Sequence, residues 1–194
     1  LQSLGDASGA SAVLDGVEGP RSSLERGYLL LAEGDLEKGR SALLLAHTGL
    51  PAANATSVIQ FASLLGRLSS EAASALADAG VKAHRGQYLE AALGLSDSVV
   101  SLDLEEAPPV LAEAARIAVE GGESELAADL RSRLIQEYPN APEMAEAALA
   151  LARYRAQIPQ GVEEAIRLLE ELITKRPNAA IAPDARIELQ RLQG

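Results

Sequence analysis

The chain has two histidines, His47 and His84, 37 positions apart, and neither has a second histidine four residues on. A zinc pair on one helix face needs that spacing, so both read as isolated surface or groove side chains. There is no Cys, which removes thiolate metal sites, iron–sulfur clusters, disulfides and cysteine nucleophiles together. Adjacent carboxylates occur at Glu105-Glu106, Glu163-Glu164 and Glu170-Glu171. General acid–base work needs such groups converging in a cleft with separated pKa values, whereas these fall on polar helix faces or in a loop. The spacings Gly-x-x-x-x-Gly-Lys-Ser/Thr, Gly-x-Gly-x-x-Gly and Gly-x-Ser-x-Gly, which cradle phosphates or raise a nucleophile, do not occur. The residues predict no enzyme, no metal site and no cofactor.

Any site must therefore be built by the elements around it, and these read as helices. The 194 residues include 37 Ala and 32 Leu against four Tyr, one Phe and no Trp, a usage that favours helix and starves strands of aromatic residues. The formal net charge is −11, a field that opposes a phosphate backbone or an anionic membrane surface. Charges, Gly or Pro interrupt every apolar run before the roughly 18 residues a spanning helix needs, so no transmembrane segment is expected. Residues 1–19, rich in Gly, Ser and Asp, read as a flexible N-terminal segment. Apolar periodicity and helix stops predict helices near 22–33, 35–47, 52–67, 70–85, 87–101, 107–120, 123–138, 141–157, 160–176 and 180–192.

The strongest internal signal is a repeat. Leu134-Ile135-Gln136-Glu137-Tyr138-Pro139-Asn140-Ala141 returns as Leu172-Ile173-Thr174-Lys175-Arg176-Pro177-Asn178-Ala179, 38 positions on. The same offset carries Ala127 onto Ala165, Leu130 onto Leu168, Ala147 onto Ala185 and Leu151 onto Leu189, so the unit is a pair of helices. Within a unit the turn falls at Gly121-Gly122 or Gln160-Gly161, and Pro ends the second helix because it cannot continue the hydrogen-bond ladder. Asn140 and Asn178 are expected to cap the helices that follow.

These residues resemble the tetratricopeptide repeat family. Three turn-to-Pro spacings equal 17, namely Gly34 to Pro51, Gly122 to Pro139 and Gln160 to Pro177. Small residues stand five positions after each turn at Gly39, Ala91, Ala127 and Ala165, and Gly27 stands seven before Gly34. The resemblance implies a right-handed all-α solenoid of stacked antiparallel helix pairs. Its repeats would cover 20–50, 105–139 and 140–177, with degenerate repeats over 51–104 and a capping helix in 178–194. Gly34 to Gly86 spans 52 residues, more than one unit and fewer than two, which leaves the helix pairing there open. The last units also resemble the members of the family found in bacterial envelope proteins, such as Tol-Pal-associated factors and outer-membrane assembly lipoproteins. That likeness is carried by Glu137-Tyr138-Pro139-Asn140-Ala141-Pro142, Glu164-Ala165-Ile166 and Ala182-Pro183-Asp184-Ala185-Arg186. It implies a periplasmic or envelope location, with the cytoplasm as the alternative.

In that family, ligands are held on the concave side lined by the first helices. Six residues before the turns this chain has Tyr28, Arg116 and Tyr154, with Gly80 in the degenerate part, and His84 and Gln157 stand close by. Exposed Tyr and Arg combine contact area with directed hydrogen bonds, which suits them to a protein interface. Packing of both Tyr between helices is the competing reading. The expected function is a protein–protein interaction scaffold that binds a partner segment through Tyr28, His84, Arg116, Tyr154 and Gln157. A helical protein binding a small ligand or lipid in a closed pocket within 51–104 is the alternative.

Overall fold

The computed structural model describes residues 19–194. Of the expected N-terminal segment 1–19, all but Gly19 lies outside the described residues. Among the described residues the chain is all-helical and contains no strand. It divides into two compact units, with the boundary between Leu102 and Asp103.

The first unit holds α1 (Pro20–Ala32), α2 (Leu36–Ala46), α3 (Ala52–Leu65), α4 (Ser70–His84) and α5 (Tyr88–Ser98). Helices α1 and α2 form one antiparallel pair, α4 and α5 a second, and α1 packs directly on α4. Each pair turns in the same way. At the end of α1, the Asp35 N–H donates to Leu30 O and the Gly34 N–H to Leu31 O; at the end of α4, Gln87 donates to Lys82 O and Gly86 to Ala83 O. This double bond requires a left-handed residue, and Gly34 and Gly86 supply it at φ 84° and 80°. A single turn of 3-10 helix then ends each pair, at His47–Gly49 and Val99–Ser101.

The pair crossing is as close as the small residues predict. A Cβ on Gly27 would stand 2.7 Å from Leu43 Cδ2, and one on Gly39 would stand 2.6 Å from Leu31 Cδ2 and 3.1 Å from Gly27 O. Leu43 at this crossing is fully buried, as are Leu76 of α4, Leu95 of α5 and Val99 of the turn after it. Each such side chain contributes about 1.5–3 kcal/mol by leaving water.

The open question of pairing between Gly34 and Gly86 is answered by α3. A turn near Gly66 would have paired α3 with α4, but α3 packs mainly on α2. Arg40 of α2 donates from Nε to Ala62 O at 3.0 Å, binding a carbonyl of the last turn of α3. Gly66 leaves room for that guanidinium, because a Cβ there would stand 2.5 Å from Arg40 Nε. One helix is thus inserted between two regular pairs, which accounts for the spacing of 52.

The second unit holds α6 (Ala107–Glu120), α7 (Ser124–Glu137), α8 (Met144–Arg155), α9 (Val162–Lys175) and α10 (Ala182–Gln193). Its helices pack in chain order, each on the next. The core is Val110, Leu111, Ile117, Leu134 and Leu169, with Ala127 and Ala165 fully buried at the crossings. Gly122, at φ 80°, closes the α6–α7 turn in the manner of Gly34, with Glu123 donating to Ala118 O and Gly122 to Val119 O.

Two local expectations are corrected. The α8–α9 turn contains no left-handed residue: Gly161 has φ −98° and is needed instead for close approach, since a Cβ would lie 2.2 Å from Arg155 O. The chain there winds down through successive short turns, Gln157 to Tyr154 O and Ile158 to Arg155 O. Asn140 and Asn178 do not cap helices. The positions before α8 and α10 are Glu143 and Ile181, because a turn follows each Pro, with Ala141 donating to Tyr138 O and Ala179 to Arg176 O.

Candidate functional site

In the first unit two of the expected residues come together. Tyr28 of α1 and His84 of α4 stack with ring centroids 4.1 Å apart and planes 13° from parallel. His84 Nε2 lies 3.0 Å from Glu25 Oε2, one turn before Tyr28 on α1, so the ring N–H donates to that carboxylate. Phe61 of α3 lies 6.2 Å from the Tyr28 ring and fills the space over Gly80, where a Cβ would stand 2.3 Å from Phe61 Cζ. Gly80 therefore admits an aromatic ring between α3 and α4. Both Tyr28 and His84 are half-buried, so each packs on one side and presents an edge on the other. The result is an aromatic shelf with a carboxylate–imidazole edge, suited to contact with a side chain and lacking a nucleophile.

The second unit holds the other three. Arg116 of α6 is clamped by its own helix: Nε donates to Glu113 Oε2 at 2.8 Å, Nη2 to Glu113 Oε1 at 2.6 Å, and Nη1 bonds Glu120. Glu113 is buried, and the bidentate guanidinium is what compensates its charge there. Tyr154 of α8 is half-buried, with the Arg155 guanidinium 5.9 Å from its ring centroid, at the limit of a cation–π contact. Gln157 is exposed just beyond the end of α8, its N–H donating to Tyr154 O.

Two further basic residues, Lys82 and Arg155, are engaged by local carboxylates. Lys82 bridges Asp78 at 3.1 Å and Glu90 at 3.0 Å, and bonds to Glu90 first and Asp78 second hold its ammonium above the usual lysine range. Arg155 lies 3.3 Å from Glu164 across the α8–α9 turn. The adjacent carboxylates do not converge: Glu164 meets Arg155, Glu170 accepts from Gln193 Nε2 at 3.4 Å, Glu171 bonds Lys175, and Glu105 is exposed before α6. Among the described residues no three His, Asp or Glu form a metal ligand set, and no helix is long and apolar enough to cross a membrane.

The residues that sequence reasoning missed are Glu25, Phe61 and Glu113. The Glu113, Arg116 and Glu120 set has the three- and four-residue spacing of a helix-surface pair and could have been found. Nothing local could have joined Glu25 to His84, 59 positions away. Two open clefts were also missed. One, of about 340 Å³, lies between α1 and α2. The other, of about 470 Å³, is lined by Pro142, Glu146, Lys175 and Asn178 at the loop before α10. No protein-family model matches the chain, and no curated protein matches it.

Proposed function

We propose that the chain is a tetratricopeptide-like, right-handed solenoid that acts as a non-catalytic scaffold, binding a segment of another protein on the side lined by its first helices. The observation that carries this reading is the Tyr28–His84 stack. It joins residues of α1 and α4, which are first helices of successive regular pairs, and it leaves an edge of each ring exposed. The repeated glycine turn and the direct packing of α1 on α4 support the same reading. Arg116, Tyr154 and Gln157 are proposed as the contacts of the second unit. With a net charge of −11, a basic or mixed-charge partner is favoured. A place in the bacterial envelope is part of the proposal and rests on the resemblance of the last units alone.

The test is affinity purification from native cells, comparing the wild-type chain with a variant carrying Tyr28→Ala, Arg116→Gln and Tyr154→Ala. Gln keeps a donor for the buried Glu113 while removing the guanidinium. Loss of one reproducible protein from a variant that still folds supports the reading. An unchanged set of captured proteins places binding elsewhere.

A further inference from the structure

The two regular pairs of the first unit are the same structure built twice, 52 residues apart. Their turns close on Gly34 and Gly86, at φ 84° and 80°. Helix α2 and its 3-10 turn, Leu36–Ala46 and His47–Gly49, map onto α5 and its turn, Tyr88–Ser98 and Val99–Ser101. Positions 52 apart on α2 and α5 can therefore be compared directly. Glu37, Ser41, Leu45 and Thr48 of the first pair correspond to Leu89, Leu93, Asp97 and Val100 of the second, and all of them are exposed.

The first pair shows that the fold needs no apolar residue at three of these positions, where it has Glu, Ser and Thr. In the second pair the same three are Leu89, Leu93 and Val100, exposed by 47 %, 42 % and 82 %. Their steps of four and seven place them in one stripe along α5 and the turn after it. Asp97 flanks that stripe, with Glu90 beyond it, and Gly94 borders open space, since an added Cβ would meet nothing within 4 Å. Glu90 is bridged by Lys82, whereas Asp97 has no ion pair among the described residues. The local sequence offers it none either. Of the 30 residues from Gly86 to Ala115, six are Asp or Glu and none is Lys, Arg or His. The outward arc of α5 is therefore apolar on one side and acidic on the other.

We propose that this face of α5 docks a basic amphipathic helix of another protein. The apolar side chains of that helix lie along Leu89, Leu93 and Val100, and a Lys or Arg beside them meets Asp97. Charge selects this occupant over the others. An anionic lipid surface is repelled by the acids. Residues 1–18 of the chain carry three acids and no Lys or Arg, and a second copy brings a net charge of −11. The face belongs to a second helix, apart from Tyr28 and His84, and does not depend on what they bind.

The test is a titration of the full, isotope-labelled chain with a capped peptide made of two copies of Ala-Leu-Lys-Lys-Leu-Leu-Lys, followed by amide chemical shifts. The expected result is a set of shifts centred on residues 89–101. Binding should be about tenfold weaker for Asp97→Asn, which removes the acid of this face that has no partner. It should also be about tenfold weaker for a variant carrying Leu89→Glu, Leu93→Ser and Val100→Thr. These are the residues of the first pair, which folds with them in the same places. They also add an acid, so attraction to charge alone would make this variant bind more tightly. Equal or tighter binding by the triple variant, unchanged binding by Asp97→Asn, or shifts spread over the acidic helices of the whole chain would overturn the proposal. So would either of two signs of another occupant in the absence of peptide. Shifts of the same amides with protein concentration would assign the face to a second copy. Their movement on removal of residues 1–18 would assign it to the chain's own first residues.

Discussion

Gly27 and Gly39 show what single atoms decide in this molecule. Each lies where a methyl group would enter the side chain of a leucine on the facing helix, at 2.7 and 2.6 Å. We expect Gly27→Ala and Gly39→Ala each to destabilise the first unit by about 1–3 kcal/mol, the usual cost of overfilling a packed contact. Gly94, on α5, has nothing within 4 Å of its added Cβ, so Gly94→Ala should stabilise by about 0.5–1 kcal/mol through helix propensity alone. Urea unfolding of the three variants checks the contrast, and equal effects would mean that the crossing is looser than described. These glycines could be read from the sequence because their spacing to the turn is local. The Glu25–His84 bond could not, because it depends on how α1 meets α4.

A pH effect belongs to the same scale. In α10, the Arg191 hydrogen bond holds the Glu188 carboxyl below its ordinary value of 4.5, against a smaller opposing effect of burial. A depressed carboxylate stabilises the fold above its unfolded value, and that contribution is lost as pH falls through the folded value. Glu188→Gln should therefore lower the melting temperature at pH 7 and lose its effect at pH values well below 4.5. A difference that persists unchanged in acid would contradict the assignment. The Glu188 side chain is only 13 % exposed, although acidic and basic residues surround it in the sequence.

At the scale of elements, the helices themselves were largely readable, since the stops are carried by Gly and Pro whose backbone limits act locally. What could not be read was α3. Its apolar pattern resembles that of its neighbours, and it is the packing of α3 on α2, with the Arg40 bond to Ala62 O, that shows where it belongs. The repeat also allows α10 to be compared with α8. Shifted by 38, α10 lies on α8, with Arg186 and Glu188 where α8 has Ala148 and Ala150, and Ile187 where α8 has the buried Leu149. Charge at those positions suits a helix that ends a stack, as terminal repeats require. Cutting the chain after Arg176 uncovers the α9 face that α10 covers, and Leu169 and Leu172 lie in that helix. We expect the shortened chain to melt at a lower temperature and to self-associate. An unchanged, monomeric melt would show that α10 does not act as a cap.

At the scale of the whole molecule, the reading as a scaffold joins a repeated helix pair to a set of exposed aromatic edges, and the sequence supplied both parts through one recurring spacing. Tyr28, Arg116 and Tyr154 were singled out by their distance from the turn. The acid clamp on Arg116 was outside that logic, and it gives this side chain a structural duty in addition to the proposed contact. The most direct measurement is photo-crosslinking in native cells, with a benzophenone amino acid placed in turn at Tyr28, at Tyr154, and at the exposed second-helix positions Glu125 and Arg167. The account predicts that Tyr28 and Tyr154 crosslink the same protein and that Glu125 and Arg167 do not. Crosslinks to that protein from Glu125 and Arg167, with none from Tyr28 or Tyr154, would contradict it.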